Sequence, residues 1–404
     1  MIQKLSTRRK GWRTRVWAML AAAAAAACGP NEPGAARDEL AASGRGDVVV
    51  AAVWPWSQRK EILFQQGLEM AVDEVNAAGG IRGRPLRLML QDDQGSVNTG
   101  LLIAQKLASD PKVSAVIGHL QSHVTVPAAR VYELNRLLLV SPTSTSPELT
   151  GEGYHFVFRT IFNDQDTGRK MAEYAARRRL KRVVICYVRN PYGRSVANAF
   201  EERAAELGIE VVGRASYDAE PDLSNRPFAA ALENWKQVAP DGIFVAGQVP
   251  MAGDFITEVR KAGITIPVLG TDAMVSSALF RGGASTVEGT VLPVPFHADE
   301  RRAEVRAFVA AFRKRFGVAP DPGAALGYDA VKLLAQAMSR AKNTSAVEVA
   351  HAMRHMGGFH GVTGTLSFDS RGDLVTHRIL KVVARGGRFE YLPEAEDSVS
   401  APGP

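Results

Sequence analysis

Apolar runs of strand length alternate with segments whose apolar residues recur every three or four positions, and this alternation fills most of the chain. Asp47 to Val53 is such a run. Ile62 to Ala78 shows helical spacing at Leu63, Gln66/Gly67, Met70 and Val75, and stops at Gly79-Gly80. The pattern continues with a strand at 85–91, a helix at 99–109, a strand at 113–118, a helix at 124–135 and a strand at 136–140. After Phe162 the rhythm restarts. Strands are predicted near 182–188, 209–216, 242–246 and 267–270, with helices opening at Thr167, Gly193, Pro227 and Gly253. Later helices are predicted at 301–316, 325–341 and 346–356, and strands at 363–368 and 376–384. Strand–helix alternation with short loops makes βαβ units. Two such series predict an α/β protein of two doubly wound parallel-sheet lobes. The roughly 350 residues involved are too many for one ordinary core.

The N-terminus breaks this pattern. Six cations and no acid stand in the first fifteen residues, followed by an apolar stretch with seven consecutive alanines that ends at Cys28. A basic region, a short apolar region and small residues before a cut site predict an export signal over 1–27. Cys28 stands where a bacterial lipoprotein is cleaved and acylated, so the chain is expected in the periplasm or cell envelope, tied to a membrane by lipid. Residues 28–46 lack an apolar period and read as a flexible, lipid-anchored tether; 394–404 read as a disordered tail.

This segment also accounts for the charge. The chain has 49 basic and 42 acidic residues, a net of +7. Without residues 1–27 the balance is 43 against 42, so no electrostatic footprint for nucleic acid remains. The one other cysteine, Cys186, sits in a continuous apolar run and reads as a small core side chain. No cofactor or metal is expected. His351 and His355 share a helix face, but Ala352 stands where a metalloprotease motif needs glutamate.

Open α/β sheets bind ligands beyond the C-terminal ends of their strands. Two such ends are rich in hydroxyls: Gly118-His-Leu-Gln-Ser122-His-Val-Thr and Ser141-Pro-Thr-Ser-Thr145-Ser-Pro. A helix N-terminus with free N–H groups and a hydroxyl suits a carboxylate. Ordinary helix capping is the alternative role for Ser122. An enzyme reading also exists: Tyr192-Gly193-Arg-Ser195-Val-Ala197 follows a strand and opens a helix, as a nucleophile elbow does. Its last glycine is replaced by Ala197, and no histidine stands in a triad context.

An ordered set of segments carries a resemblance. Leu68-Glu-Met-Ala-Val-Asp-Glu-Val-Asn-Ala-Ala-Gly-Gly leads to Gln91-Asp92-Asp93; Val140-Ser-Pro-Thr leads to Phe158-Arg159-Thr160 and Asn163-Asp164; Pro191-Tyr192-Gly193, Gly327-Tyr-Asp-Ala and Phe368-Asp-Ser-Arg-Gly-Asp373 follow. From about Asp47 to Val383 the chain resembles the type I periplasmic binding proteins, in the leucine/isoleucine/valine-binding branch that feeds ABC importers. The resemblance implies a three-segment hinge, with crossings near 162–165, 292–295 and 373–376. Lobe 1 would be 47–163 plus 293–374, and lobe 2 164–292 plus 375–393.

It also implies a function and a site. The protein would close over an amino acid or similar small carboxylate and deliver it to an ABC permease and ATPase, without turnover. Ser122 matches the hydroxyl that holds the α-carboxylate, and Thr143 and Thr145 the loop contacting carboxylate and ammonium. Tyr192 matches the aromatic of the second lobe, and Asp272 the acid that pairs with the ammonium. Two departures bear on the side-chain pocket: Trp54 and Trp56 stand in the first loop, near the cleft mouth, with lobe packing or a partner surface as their alternative role, and Gln248 replaces a tyrosine. A sensing receptor of the same fold, for an amide or organic acid, is the alternative use.

Overall fold

The computed structural model describes residues 33–218, 228–375 and 378–393. The expected signal (1–27), Cys28 and the tail (394–404) lie outside the described residues. Helix α1 (Pro33–Ser43) comes first. Then follow β1 (Val48–Trp54), α2 (Phe64–Ala77), β2 (Leu86–Asp92), α3 (Val97–Ser109), β3 (Val113–Gly118), α4 (Ser122–Leu134), β4 (Leu138–Ser141), α5 (Glu148–Gly151) and β5 (Val157–Arg159). These five strands form one parallel sheet in the order β2-β1-β3-β4-β5.

The period of two explains why β1 reads as a continuous apolar run. Val48, Val50, Ala52 and Trp54 face one core with Phe64 and Leu68 of α2. Ala51 and Val53 face the other, with Ala104 and Leu107 of α3 and Ala128 and Tyr132 of α4. A strand buried on both faces has no polar positions to alternate.

The chain crosses at Ile161 and Phe162 and builds the second lobe: α6 (Asp164–Arg177), β6 (Arg182–Val188), α7 (Pro191–Glu206), β7 (Glu210–Tyr217), α8 (Ala229–Val238), β8 (Gly242–Ala246), α9 (Met251–Lys261), β9 (Val268–Leu269) and β10 (Val291–Val294). It returns as α10 (Ala303–Phe316), α11 (Pro322–Arg340), α12 (Ala346–His355) and the hairpin β11 (Phe359–His360) and β12 (Thr365–Leu366), then ends with β13 (Leu380–Arg385) and β14 (Arg388–Leu392). The second sheet runs β14-β13-β10-β9-β8-β6-β7, with β13 and β14 antiparallel. Cys186 is buried inside β6 as expected, and burial pushes its thiol well up. Helix α11 lies against α2 so closely that a Cβ on Gly67 would meet the Ala324 carbonyl oxygen at 2.0 Å.

One lobe boundary differs from the sequence reading. The second crossing falls after β10, because Val294 packs in the second lobe's core while Phe296 packs with Met70 and Phe308 in the first. That is two residues later than the expected break. The third crossing falls between Leu374, which packs on the first lobe, and β13; residues 376–377 within it lie outside the described residues. Ile161, Phe162, Leu326 and Ile379 form a small apolar cluster where the crossings meet.

The segment read as a flexible tether is also corrected, for its described part. Residues 33–43 are the helix α1, pinned by Arg37, which is 2% exposed. Its guanidinium donates to the carbonyls of Val113 (2.8 Å), Asn135 (2.9 Å), Ala108 (2.7 Å) and Asp110 (3.3 Å). These carbonyls end α3, start β3 and end α4, so α1 sits at the pole of lobe 1 opposite the C-terminal strand ends. The sequence hid this because α1 docks through a buried arginine and small residues, Gly34 and Ala41, with no apolar stripe. Arg37→Ala is expected to destabilise the protein by about 2 kcal/mol, the scale of hydrogen bonds to a charged donor, and to release α1. Limited proteolysis should then cut within 33–46, where the native protein resists.

Candidate functional site

The C-terminal ends of β1, β3 and β4 lie along one edge of the first sheet. Gly118 closes β3 at φ +145°, and a Cβ there would lie 2.2 Å from the Val53 carbonyl oxygen, so this strand end needs glycine. The loop after it carries His119 inward. His119 Nδ1 lies 2.7 Å from Asp93 Oδ2 and Nε2 lies 3.1 Å from the Tyr132 hydroxyl, all three fully buried. With the proton on Nδ1, His119 donates to the carboxylate and accepts from the phenol. The sequence reading passed over this chain, although Asp93 and His119 both stand in motifs it quoted.

Two loops are knitted on that base. Thr143 Oγ1 donates toward the carbonyls of His119 (2.9 Å) and Leu120 (3.0 Å). Ser144 Oγ donates to Thr125 Oγ1 at 2.6 Å, and Ser122 Oγ accepts the Ser146 N–H at 3.3 Å. Ser122 is the first residue of α4, and Gln121 before it makes no side-chain cap. The Ser122 and His123 N–H groups of its first turn are therefore available to an acceptor, with the 143–146 loop beside them, while the Val124 N–H is taken by the Gln121 carbonyl at 3.0 Å. Arg159, fully buried, fixes this loop from behind: it donates to the Ser146 carbonyl at 2.5 Å, to Thr150 Oγ1 at 2.9 Å and to both oxygens of Asp373.

The second lobe supplies the opposite charge. Asn190 caps α7 by accepting the Gly193 N–H at 2.8 Å, which places Tyr192 in the first turn. Asp272 opens a short 3-10 turn after β9. The Tyr192 hydroxyl donates to Asp272 Oδ1 at 3.2 Å. Burial pushes the Asp272 carboxyl up to about 6, against the pull of that hydrogen bond, and raises the Tyr192 phenol well above its usual range.

Asp164 joins the two walls, and the sequence reading did not single it out as a site residue. Its N–H donates to the Thr145 carbonyl at 2.9 Å, and its carboxylate is fully buried. The hydroxyls of Thr145 and Ser195 stand beside its oxygens, and each favours the ionised carboxylate. Burial pushes the carboxyl up to about 7; Thr145 pulls it down, while the Asp272 charge adds to the rise. The charges of Asp164 and Asp272 both raise the Tyr192 phenol, so the acid that opens α6 and the Tyr192–Asp272 pair of lobe 2 lie within electrostatic reach of one another. Ser195, the residue at the elbow position of the enzyme reading, faces this carboxylate.

The remaining expected residues divide. Trp54 is 1% exposed and stacks on Phe64 with centroids 4.0 Å apart. It is a core residue of lobe 1, which corrects its expected place at the cleft mouth. The reason is the strand period, which sets it on the same face as Val48, Val50 and Ala52. Trp56, past the strand end, is half-buried beside the same phenylalanine. Gln248 is half-buried just after β8, next to Gly247, whose carbonyl accepts from Thr271 Oγ1 at 2.8 Å. Among the described residues no group of three or more histidine, cysteine or acidic side chains could hold a metal.

Comparison with known proteins agrees with this architecture. A family model described as periplasmic binding protein matches residues 61–387. A Leu/Ile/Val-binding protein homolog 1 of Brucella abortus is 32% identical over 312 residues, covering 77% of this chain and 82% of the relative. The crystal structure of an ABC transporter substrate-binding protein from Desulfitobacterium hafniense, in complex with Leu, is 36% identical with a TM-score of 0.78, covering 86% of this chain and all of that one. The branched-chain amino acid transporter substrate binding protein LivJ of Streptococcus pneumoniae, in complex with isoleucine, is 27% identical with a TM-score of 0.76, covering 85% and 98%. With its two parallel-sheet lobes and a match over most of its length, the chain belongs to the periplasmic binding protein family, a family of extracytoplasmic, non-enzymatic solute-binding proteins.

Proposed function

We propose that this protein captures a small amino acid between its lobes and passes it to an ABC importer. The observation that carries the reading is the charge division of the site. The Ser122 and His123 N–H groups and the Ser122 hydroxyl suit a carboxylate, with Thr143 and Thr145 shaping the loop beside them. Asp272, hydrogen-bonded to Tyr192, suits an ammonium. A zwitterion satisfies both ends, and the relatives' names point to branched-chain amino acids. Trp56 and Gln248, the departures from the family's pattern, are the residues this reading assigns to the ligand's side chain. Membrane attachment through a lipid on Cys28 belongs to the same reading, since an importer's capture protein works at the membrane surface.

A thermal-shift screen of leucine, isoleucine, valine, threonine, alanine and benzoate tests the reading, because benzoate carries a carboxylate and no ammonium. Stabilisation by an amino acid, without its consumption, is the expected result. A response to benzoate alone would replace the amino acid by an organic acid. Ser122→Ala should weaken the best amino acid by about 1.5–3 kcal/mol in calorimetric titration, since one hydrogen bond to a charged group is lost. Unchanged affinity would leave Ser122 only its bond to the Ser146 N–H.

A further inference from the structure

We propose that the buried Asp93–His119 pair is a positioning element of the ligand site: it ties the strand-end loops of lobe 1 together and so fixes the Ser122 and His123 N–H groups in place. The proposal rests on the amino-acid reading above and adds to it the residues behind the ligand loop. Asp93 directly follows β2 and is fully buried, as are His119 and Tyr132. Its N–H donates to the Trp54 carbonyl, at the end of β1, at 3.3 Å. Its Oδ1 accepts the Gly95 N–H at 2.9 Å, and its carbonyl accepts the N–H of Ser96, the residue that caps α3, at 2.9 Å. Its Oδ2 lies 2.7 Å from Nδ1 of His119, in the loop after β3. The His119 carbonyl in turn accepts from Thr143 Oγ1, in the loop after β4, at 2.9 Å. Two residues thus connect the segments that follow β1, β2, β3 and β4.

The partners fix the protons. An ionised carboxylate only accepts, so Nδ1 carries a hydrogen. Burial, with the Asp93 charge second, pushes the Tyr132 phenol well up, so that side chain stays a donor, and His119 Nε2 at 3.1 Å is its acceptor. His119 is therefore neutral, with Nδ1–H directed at Asp93 and the Nε2 lone pair at Tyr132. The other neutral tautomer would set a lone pair against the carboxylate. An imidazolium would take this acceptor away from the buried Tyr132 hydroxyl.

The two links of the imidazole have separate effects. The Tyr132 link reaches into the middle of α4 and holds the ring. The Asp93 link joins the loop after β3 to those after β1 and β2. Losing it leaves a buried carboxylate short of a donor and lets the loops drift apart, and a binding constellation tolerates only about 0.5 Å of drift. An Asn side chain presents an N–H near the Nδ1 position and keeps the Asp93 link alone. A Gln side chain reaches the Nε2 position and keeps only the Tyr132 link. Stability and ligand affinity therefore separate among variants of these residues.

The test is calorimetric titration of the full-length mature protein with L-leucine, beside thermal melts, for His119→Asn, His119→Gln and Tyr132→Phe. His119→Gln should weaken leucine binding by about ten- to a hundredfold, and His119→Asn should recover most of that loss. Tyr132→Phe should melt below the native protein yet bind leucine within about threefold of it, a split that a merely structural role would not produce. Nuclear magnetic resonance of the protein carrying isotope-labelled histidine should show a ring protonated on Nδ1 and bare on Nε2, missing from both His119 variants. Should His119→Gln fail to fold, the Asn variant and the ring signal decide the matter. Native affinity in His119→Gln, a loss of about tenfold or more in a folded His119→Asn, or a His119 ring protonated on Nε2 would overturn the positioning role and leave the amino-acid reading intact. A native protein that binds benzoate and none of leucine, isoleucine, valine, threonine or alanine would overturn the amino-acid reading instead. Benzoate then replaces leucine as the probe, and the same order of variants decides the role of the pair.

Discussion

Asp272→Asn should weaken amino-acid binding by about 3–5 kcal/mol, the typical loss when one partner of a desolvated ion pair is removed and the other stays buried. The substitution keeps the side chain's shape and leaves an amide oxygen for the Tyr192 hydroxyl, now 3.2 Å from Asp272 Oδ1. Folding should therefore survive. Burial already holds the carboxyl up near 6, so the neutral amide removes an unfavourable charge from the empty cleft. The unliganded variant should accordingly melt at or above the native temperature near pH 8. Calorimetric titration beside a thermal melt measures both effects. Normal amino-acid binding by this variant would sink the role given to Asp272.

Arg159→Met should be the most damaging single change to stability, at about 3–5 kcal/mol. The guanidinium is fully buried and serves four acceptors: both oxygens of Asp373, the Ser146 carbonyl and Thr150 Oγ1. Burial alone would raise the Asp373 carboxyl, but the hydrogen bonds and charge of Arg159 outweigh it and hold it below the usual range. That contribution is present above about pH 4 and is lost as pH falls through the lowered carboxyl. In the variant Asp373 is left buried without its cation. Urea unfolding at pH 7 should show the loss. The double variant Arg159→Met/Asp373→Leu should recover part of it, because replacing a buried pair by apolar groups costs less than breaking it. A variant as stable as the native protein would contradict the clamp. Because Asp373 stands just before the third crossing and Ser146 in the ligand loop, the double variant should also bind amino acids more weakly even where it folds.

Much of the scaffold was legible along the chain. Strands β1, β6 and β8 are buried on both faces, so they appear as apolar runs of strand length, and β3 departs from this only at Ser114. Less legible were β5, β11 and β14, which are short or flank the sheets, where few apolar residues are needed. The later position of the second crossing was hidden for a similar reason. Val294 and Phe296 are both apolar, and only packing tells which lobe each enters.

The site shows the same division. Ser122, Thr143, Thr145, Tyr192 and Asp272 could be named from motifs, because hydroxyls at strand ends and an acid opening a turn have local chemical meaning. Asp164 could not be assigned, because beside Asn163 and Asp166 it looks like an ordinary acid in the first turn of a helix. Trp54 was misplaced because a strand's last residue can point into the core or past its end. Arg37 was read as part of a polar tether because a lone arginine in a small-residue segment normally stays in water.

By itself the sequence determined the two α/β lobes and the kinds of groups at their strand ends. Hydrophobic periodicity and strand-end chemistry are properties of neighbouring residues. Only the tertiary structure decided which charges are buried, which hydroxyls are consumed in holding loops, and which acids lie within reach of one another. Those are set by contacts between residues far apart in the chain, such as Arg159 with Asp373, where burial and distance rather than residue type fix the energy.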